Sequence, residues 1–131
     1  MSLRPDEQRH TGAVGIRNLA RRLSSSVDEI DNDRLHGRFG SLDVTPVAEM
    51  GTRARVRVGG EVKRIRTAPR SGVPTLEITV CDGTGDAVAV FTGRRRIVGI
   101  ETGRALVLEG VPHPDRGRSI MLNPSYTLLP H

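Results

Sequence analysis

The spacing of apolar residues changes period once, near Gly51, and that change limits what the chain can fold into. Upstream, Ile16, Leu19, Leu23, Val27 and Ile30 recur at intervals of 3, 4, 4 and 3, which places them on one face of a helix. Ser24-Ser25-Ser26 interrupts good helix formers, and Ser26 with Glu29 forms a capping-box pattern. One continuous helix and two helices meeting at the serines both satisfy this pattern. Gly37 is expected to end the helical part, as a residue free to adopt the left-handed backbone conformation. Downstream, Arg53, Arg55 and Arg57 alternate with Ala54, Val56 and Val58, the signature of a strand buried on one face.

Alternation continues to the C-terminus and predicts five strands. Gly59-Gly60 interrupts the first, and Val62 and Ile65 resume out of step, which suggests a bulge that bends one long strand. Residues 68–74 read as a turn-rich loop, and residues 75–81 as a second strand with Leu76, Ile78 and Val80 on one face. A tight connection at Asp82-Gly83-Thr84-Gly85-Asp86 leads into a third strand through Thr92. A connection of about eleven residues, long for a hairpin, then reaches a fourth strand, residues 104–111. Residues 112–117 read as a loop, and residues 119–129 as a fifth strand interrupted at Pro124. A mainly β, five-stranded Greek-key barrel of the OB-fold type satisfies this order; an SH3-like barrel also has five strands. The expected organisation is an N-terminal helical extension over 1–43, mobile over 1–11, and an OB-fold domain over 44–131.

Several function classes drop out. The longest purely apolar run, residues 87–91, is far short of the ~20 residues of a spanning helix. The first residues, Met-Ser-Leu-Arg-Pro-Asp-Glu, lack the apolar stretch of a secretory signal. A single cysteine, Cys81, leaves no internal disulfide framework, and the setting expected is a reducing, bacterial-type cytoplasm. His10, His36, His113 and His131 are scattered without metal-ligand spacing. Gly83-Thr84-Gly85 lacks the third glycine of a dinucleotide fingerprint and precedes a strand rather than a helix. No catalytic role, cofactor or metal is therefore expected.

Residues 53–129 resemble the OB-fold nucleic-acid-binding group that includes anticodon-binding and helicase-wedge domains. The resemblance rests on Val58-Gly59-Gly60-Glu61-Val62, on Asp82-Gly83-Thr84-Gly85, and on the run from Gly103 to Gly110. Ile120-Met121-Leu122-Asn123-Pro124 resembles the close of the wedge domain of branched-DNA helicases. With its helical extension, the whole chain looks like the small stand-alone OB proteins of high-GC bacteria. The resemblance implies a ligand that is single-stranded or branched DNA, or RNA.

Charge points the same way. The net charge is +5, Lys63 is the only lysine, and residues 1–43 carry seven arginines against seven carboxylates, so the excess lies wholly downstream. Candidate phosphate contacts are Arg53, Arg55 and Arg57 on the first strand, Lys63, Arg64 and Arg66 past the bend, and Arg70 on the following loop. Arg94, Arg95 and Arg96 form a second cluster, and Arg116 and Arg118 flank the last loop. OB-folds bind across strands 2–3 and the loops joining strands 1–2 and 4–5, which favours Arg64, Arg66, Arg70, Arg116 and Arg118. Phe39, Phe91 and Tyr126 are the only aromatics, so stacking platforms are scarce; Phe91 is either such a platform or part of the core. The expectation is weakly sequence-specific, salt-sensitive binding led by backbone phosphates. The competing class is a protein-interaction or oligomerisation module, with the Ile16–Ile30 stripe joining copies of the chain.

Overall fold

The computed structural model describes residues 27–130. Apolar alternation produces seven strands: β1 (Val56–Thr67), β2 (Thr75–Cys81), β3 (Asp86–Thr92), β4 (Ala105–Gly110), β5 (Pro112–Asp115), β6 (Arg118–Leu122) and β7 (Ser125–Leu128). They form one mixed sheet in the order β5-β6-β3-β2-β1-β4-β7. β3 and β6 run parallel, with Val88 opposite Ile120, and every other pair is antiparallel. The count exceeds the five expected because Pro112–Asp115 forms a strand where a loop is expected, and the fifth expected strand divides at Asn123 and Pro124. Val111 alone separates β4 from β5, and Asn123 with Pro124 separates β6 from β7. Asn123 takes a left-handed φ of 47°, and Pro124 has no N–H to give a ladder. Residues 112–117, expected to be a loop, instead form most of the β5–β6 hairpin. No helix among the described residues is long and apolar enough to cross a membrane.

β2 and β3 are buried on both faces. Leu76, Ile78 and Val80 join Val58, Val62, Leu106, Leu108 and Met121 in the main core. Ala87, Ala89 and Phe91 face the same core, so Phe91 is a packing residue; its ring meets Tyr126 edge-on with centroids 5.8 Å apart. Burial of that ring removes Phe91 as a base-stacking platform. On the opposite face, Val88, Val90 and Ile120 form a second buried cluster. Ile97 and Ile100 insert from the 93–103 connection into the main core and anchor that segment.

β1 changes partner along its length, pairing with β4 from Val56 to Glu61 and with β2 from Glu61 to Thr67. The expected bulge at Gly59-Gly60 is absent. Both glycines stay in register opposite Val107 and Leu106, and the register shift falls between Val62 and Arg64. Close approach is what requires glycine there. A Cβ on Gly60 would stand 3.0–3.1 Å from the Cys81 backbone, and one on Gly59 would stand 2.8 Å from the Phe39 ring.

A helix over 27–39, α1, precedes the sheet and passes through Gly37, contrary to the expected stop there. It closes at Gly40, whose N–H donates to the His36 carbonyl at 2.8 Å. The compact unit containing the sheet begins at Asn32, so the boundary expected near residue 43 falls inside it. Within that unit Leu35 and Phe39 pack on Ala105, with Leu42, Cys81 and Leu129 around them. Of the apolar stripe, Ile16, Leu19 and Leu23 lie outside the described residues, as does the segment 1–11; Val27 and Ile30 are exposed.

Arg34 and Arg38 fix the helix to β1 at Glu61, where the strand changes partner. Arg34 grips Glu61 through two hydrogen bonds of 3.0 and 3.1 Å, and Arg38 adds a third. The Arg34 hydrogen bonds, with help from Arg38, hold the Glu61 carboxyl below its ordinary range despite partial burial. A lowered folded pKa stabilises above the ordinary carboxylate range and loses that stabilisation as pH falls through the folded value. Glu61→Gln is therefore expected to cost about 1–2 kcal/mol at neutral pH. In urea melts the gap between variant and parent should narrow as pH falls below the ordinary glutamate range and through the lowered folded value.

Candidate nucleic-acid interface

Two tight turns bring distant arginines together. Between β1 and β2, Arg70 and Val73 exchange backbone hydrogen bonds of 2.9 and 3.0 Å around Ser71 and Gly72, at φ of 52° and 79°. Between β5 and β6, Asp115 pairs with Arg118 around Arg116 and Gly117, at φ of 53° and 83°. Two consecutive left-handed residues suit the right-handed twist of the flanking strands, as in a two-residue hairpin turn. Arg64 and Arg66 reach the same region from the second half of β1, in register with Thr79 and Glu77.

Two recesses result. One, of about 160 Å³, is lined by Arg64, Arg66, Glu77, Thr79 and Arg118. The other, of about 280 Å³, lies between the two turns and is bounded by Arg66, Arg70, Arg116 and Arg118 with Glu77 and Asp115. Five arginines against two carboxylates leave an excess of three positive charges. Glu77 is the hub: it accepts from Arg118 at 3.1 and 3.0 Å and lies 3.6 Å from Arg66. Those hydrogen bonds from Arg118 hold the Glu77 carboxyl below its ordinary range against the opposing effect of burial. Asp115 stands 3.5 Å from Arg70 and 3.8 Å from Arg118. Among the described residues, Arg64 and Arg116 make no ion pair.

The remaining candidates sit elsewhere. Arg53 and Arg55 precede β1, so no row of three arginines forms on its outward face. Arg53 takes a φ of 68° and donates its N–H to the Pro112 carbonyl at 2.9 Å. Arg55 and Arg57 converge on Glu109 of β4 at 2.9 and 3.5 Å, and Lys63 pairs with Asp86 at 3.0 Å. These three are thus engaged locally. Arg94, Arg95 and Arg96 are exposed on the 93–103 connection and line neither recess. Nor does an aromatic residue. Glu77 and Thr79 of β2 stand opposite Val90 and Val88 of β3, so the recesses and the buried Val88, Val90 and Ile120 share one face of the sheet.

Sequence reasoning missed Glu77 and Asp115. Glu77 stands between Leu76 and Ile78 in an apolar strand, which is a signal for a partnered charge, but only the β1–β2 register names Arg66 as its neighbour. Guanidinium groups remain charged at any working pH and match phosphate oxygens with paired donors. Arginines on two tight turns and one strand therefore present paired donors of the kind that match phosphate oxygens. No protein-family model and no curated protein matches this chain.

Proposed function

We propose that the chain is a non-catalytic nucleic-acid-binding protein that grips the sugar-phosphate backbone with Arg64, Arg66, Arg70, Arg116 and Arg118. The convergence of these five side chains on two adjoining recesses carries the reading. With no aromatic at the recesses, contact to bases falls to guanidinium planes, and sequence preference stays weak. The strand order supports an OB-type barrel as the scaffold. Because β4–β5 and β6–β7 are each interrupted by only one or two residues, the seven strands reduce to five. Both ends of the sheet order then belong to one long hairpin, which pairs with β1 at one end and β3 at the other. The parallel β3–β6 pair supplies the return connection of a Greek key.

Binding led by phosphates depends on counterion release. The logarithm of affinity for a single-stranded oligonucleotide is expected to fall linearly with the logarithm of salt concentration, by about 0.7 for each phosphate engaged. Fluorescence anisotropy across a salt series measures the slope. Absence of binding even at low salt refutes the reading and leaves a protein-interaction module in its place.

A further inference from the structure

Glu77 and Asp115 touch the same arginines, yet they differ in burial and in contact length. Glu77 has a side chain only 8% exposed and closes both donors of the Arg118 fork at hydrogen-bond distance. Asp115 is 21% exposed, and a single oxygen, Oδ2, stands between Arg70 Nη1 at 3.5 Å and Arg118 Nη2 at 3.8 Å. Charge-assisted pairs with optimal geometry are closer, near about 2.8 Å. One carboxylate is a tight structural partner, and the other is a loosely held anion at the mouth of the larger recess.

The geometry points to exchange of a phosphate for Asp115. A backbone phosphate of the bound strand takes the position of the Asp115 carboxylate between Arg70 and Arg118, while Glu77 keeps Arg118 and Arg66 in place. The inference rests on the nucleic-acid reading and assigns that site a subsite and two opposed carboxylate roles. Asp115 occupies an anion position on a surface-exposed turn, so giving up its two long contacts costs little. Releasing Glu77 would cost more, because it would leave a nearly buried carboxylate without its bidentate partner. Asp115 is thus a competitor that ligand displaces, and Glu77 is a positioning residue.

Simple charge counting makes both neutralisations tighten binding equally, whereas displacement gives them opposite signs. The full chain, Asp115→Asn and Glu77→Gln should be titrated with an unstructured thymidine oligonucleotide of about 12 nucleotides, within the usual span of an OB surface. Salt should run from about 50 to 200 mM. Asp115→Asn is expected to bind severalfold more tightly with an unchanged salt slope. Glu77→Gln is expected to bind more weakly, with a slope shallower by about 0.7, as one phosphate contact is lost. An Asp115→Asn protein that binds no better than the parent overturns the exchange, whatever Glu77→Gln does to folding. A folded Glu77→Gln protein that binds as tightly as Asp115→Asn overturns the positioning role. Oligonucleotides with a 5′-phosphate and a 5′-hydroxyl should bind alike; a gain confined to the former assigns the subsite to a terminal phosphate and overturns the backbone assignment. If the parent binds no oligonucleotide at all, it is the nucleic-acid reading that fails.

Discussion

Replacing Gly60 by valine is expected to destabilise the protein by roughly 3 kcal/mol, the upper part of the range for overpacking. Gly60 lies where β1 passes from β4 to β2, opposite Leu106 and one residue before the Glu61–Cys81 pair. Its missing side chain is replaced by backbone: the Cys81 nitrogen, carbon and oxygen all lie 3.0–3.1 Å from where a Cβ would sit. A flexible side chain could swing away, but a strand held in a ladder cannot move without breaking its hydrogen bonds. The γ-methyl groups of valine add to the clash. Gly37→Ala supplies the contrast. Gly37 lies inside α1 with open space around its Cα, so alanine is expected to be neutral or to stabilise by up to about 1 kcal/mol. Urea melts of the two variants check both values; a neutral Gly60→Val would mean that β1 and β2 do not approach closely there.

The paired glycines show how the sequence informs on a fold and where it stops. Their presence in an alternating strand marked residues 59–60 as special, and they are. The cause, however, is a neighbouring backbone and the Phe39 ring, and neither neighbour is local in sequence. The true register shift near Lys63 has no glycine or proline to announce it. The positions of β1 to β4 were legible because at least one face of each is apolar. The breaks at Val111 and Pro124 were legible too, but β5 was not, because Pro112-His113-Pro114-Asp115 carries the prolines and polar residues of a loop. Gly37 failed as a helix stop for a related reason: propensity is local, whereas Leu35 and Phe39 carry the helix on by packing against Ala105.

The site divides similarly. Arginines were visible as residues, and the general placement of ligands on OB-folds selected the same five that surround the recesses. Which arginines are occupied elsewhere was not visible. Glu109 lies more than fifty positions from Arg55 and draws Arg55 and Arg57 to β4, while Asp86 holds Lys63. Phe91 was ambiguous because strand alternation defines two faces without saying which is inward. The structure resolves it, since Ala87 and Ala89 on the same side are fully buried in the main core.

The second large effect is expected from Arg64→Ala, Arg66→Ala and Arg70→Ala combined. If each engages one phosphate, the salt slope becomes shallower by roughly 2, and affinity at about 50 mM salt falls by several hundredfold. Preference among base sequences should change little, because phosphate contacts carry no sequence information. The structure adds a constraint on the three. Arg64 makes no ion pair among the described residues, whereas Arg66 and Arg70 balance Glu77 and Asp115. Arg64→Ala alone should therefore lower affinity without moving the melting midpoint, and the triple variant needs a melt beside each titration. The matched triple change at Arg94, Arg95 and Arg96 removes the same formal charge from a segment that borders neither recess. If net charge alone drives binding, the two triple variants lose affinity and slope equally. If the recesses hold the strand, only the first loses the full two units of slope. The second weakens binding through long-range attraction, which salt screens over about 10 Å at 0.1 M.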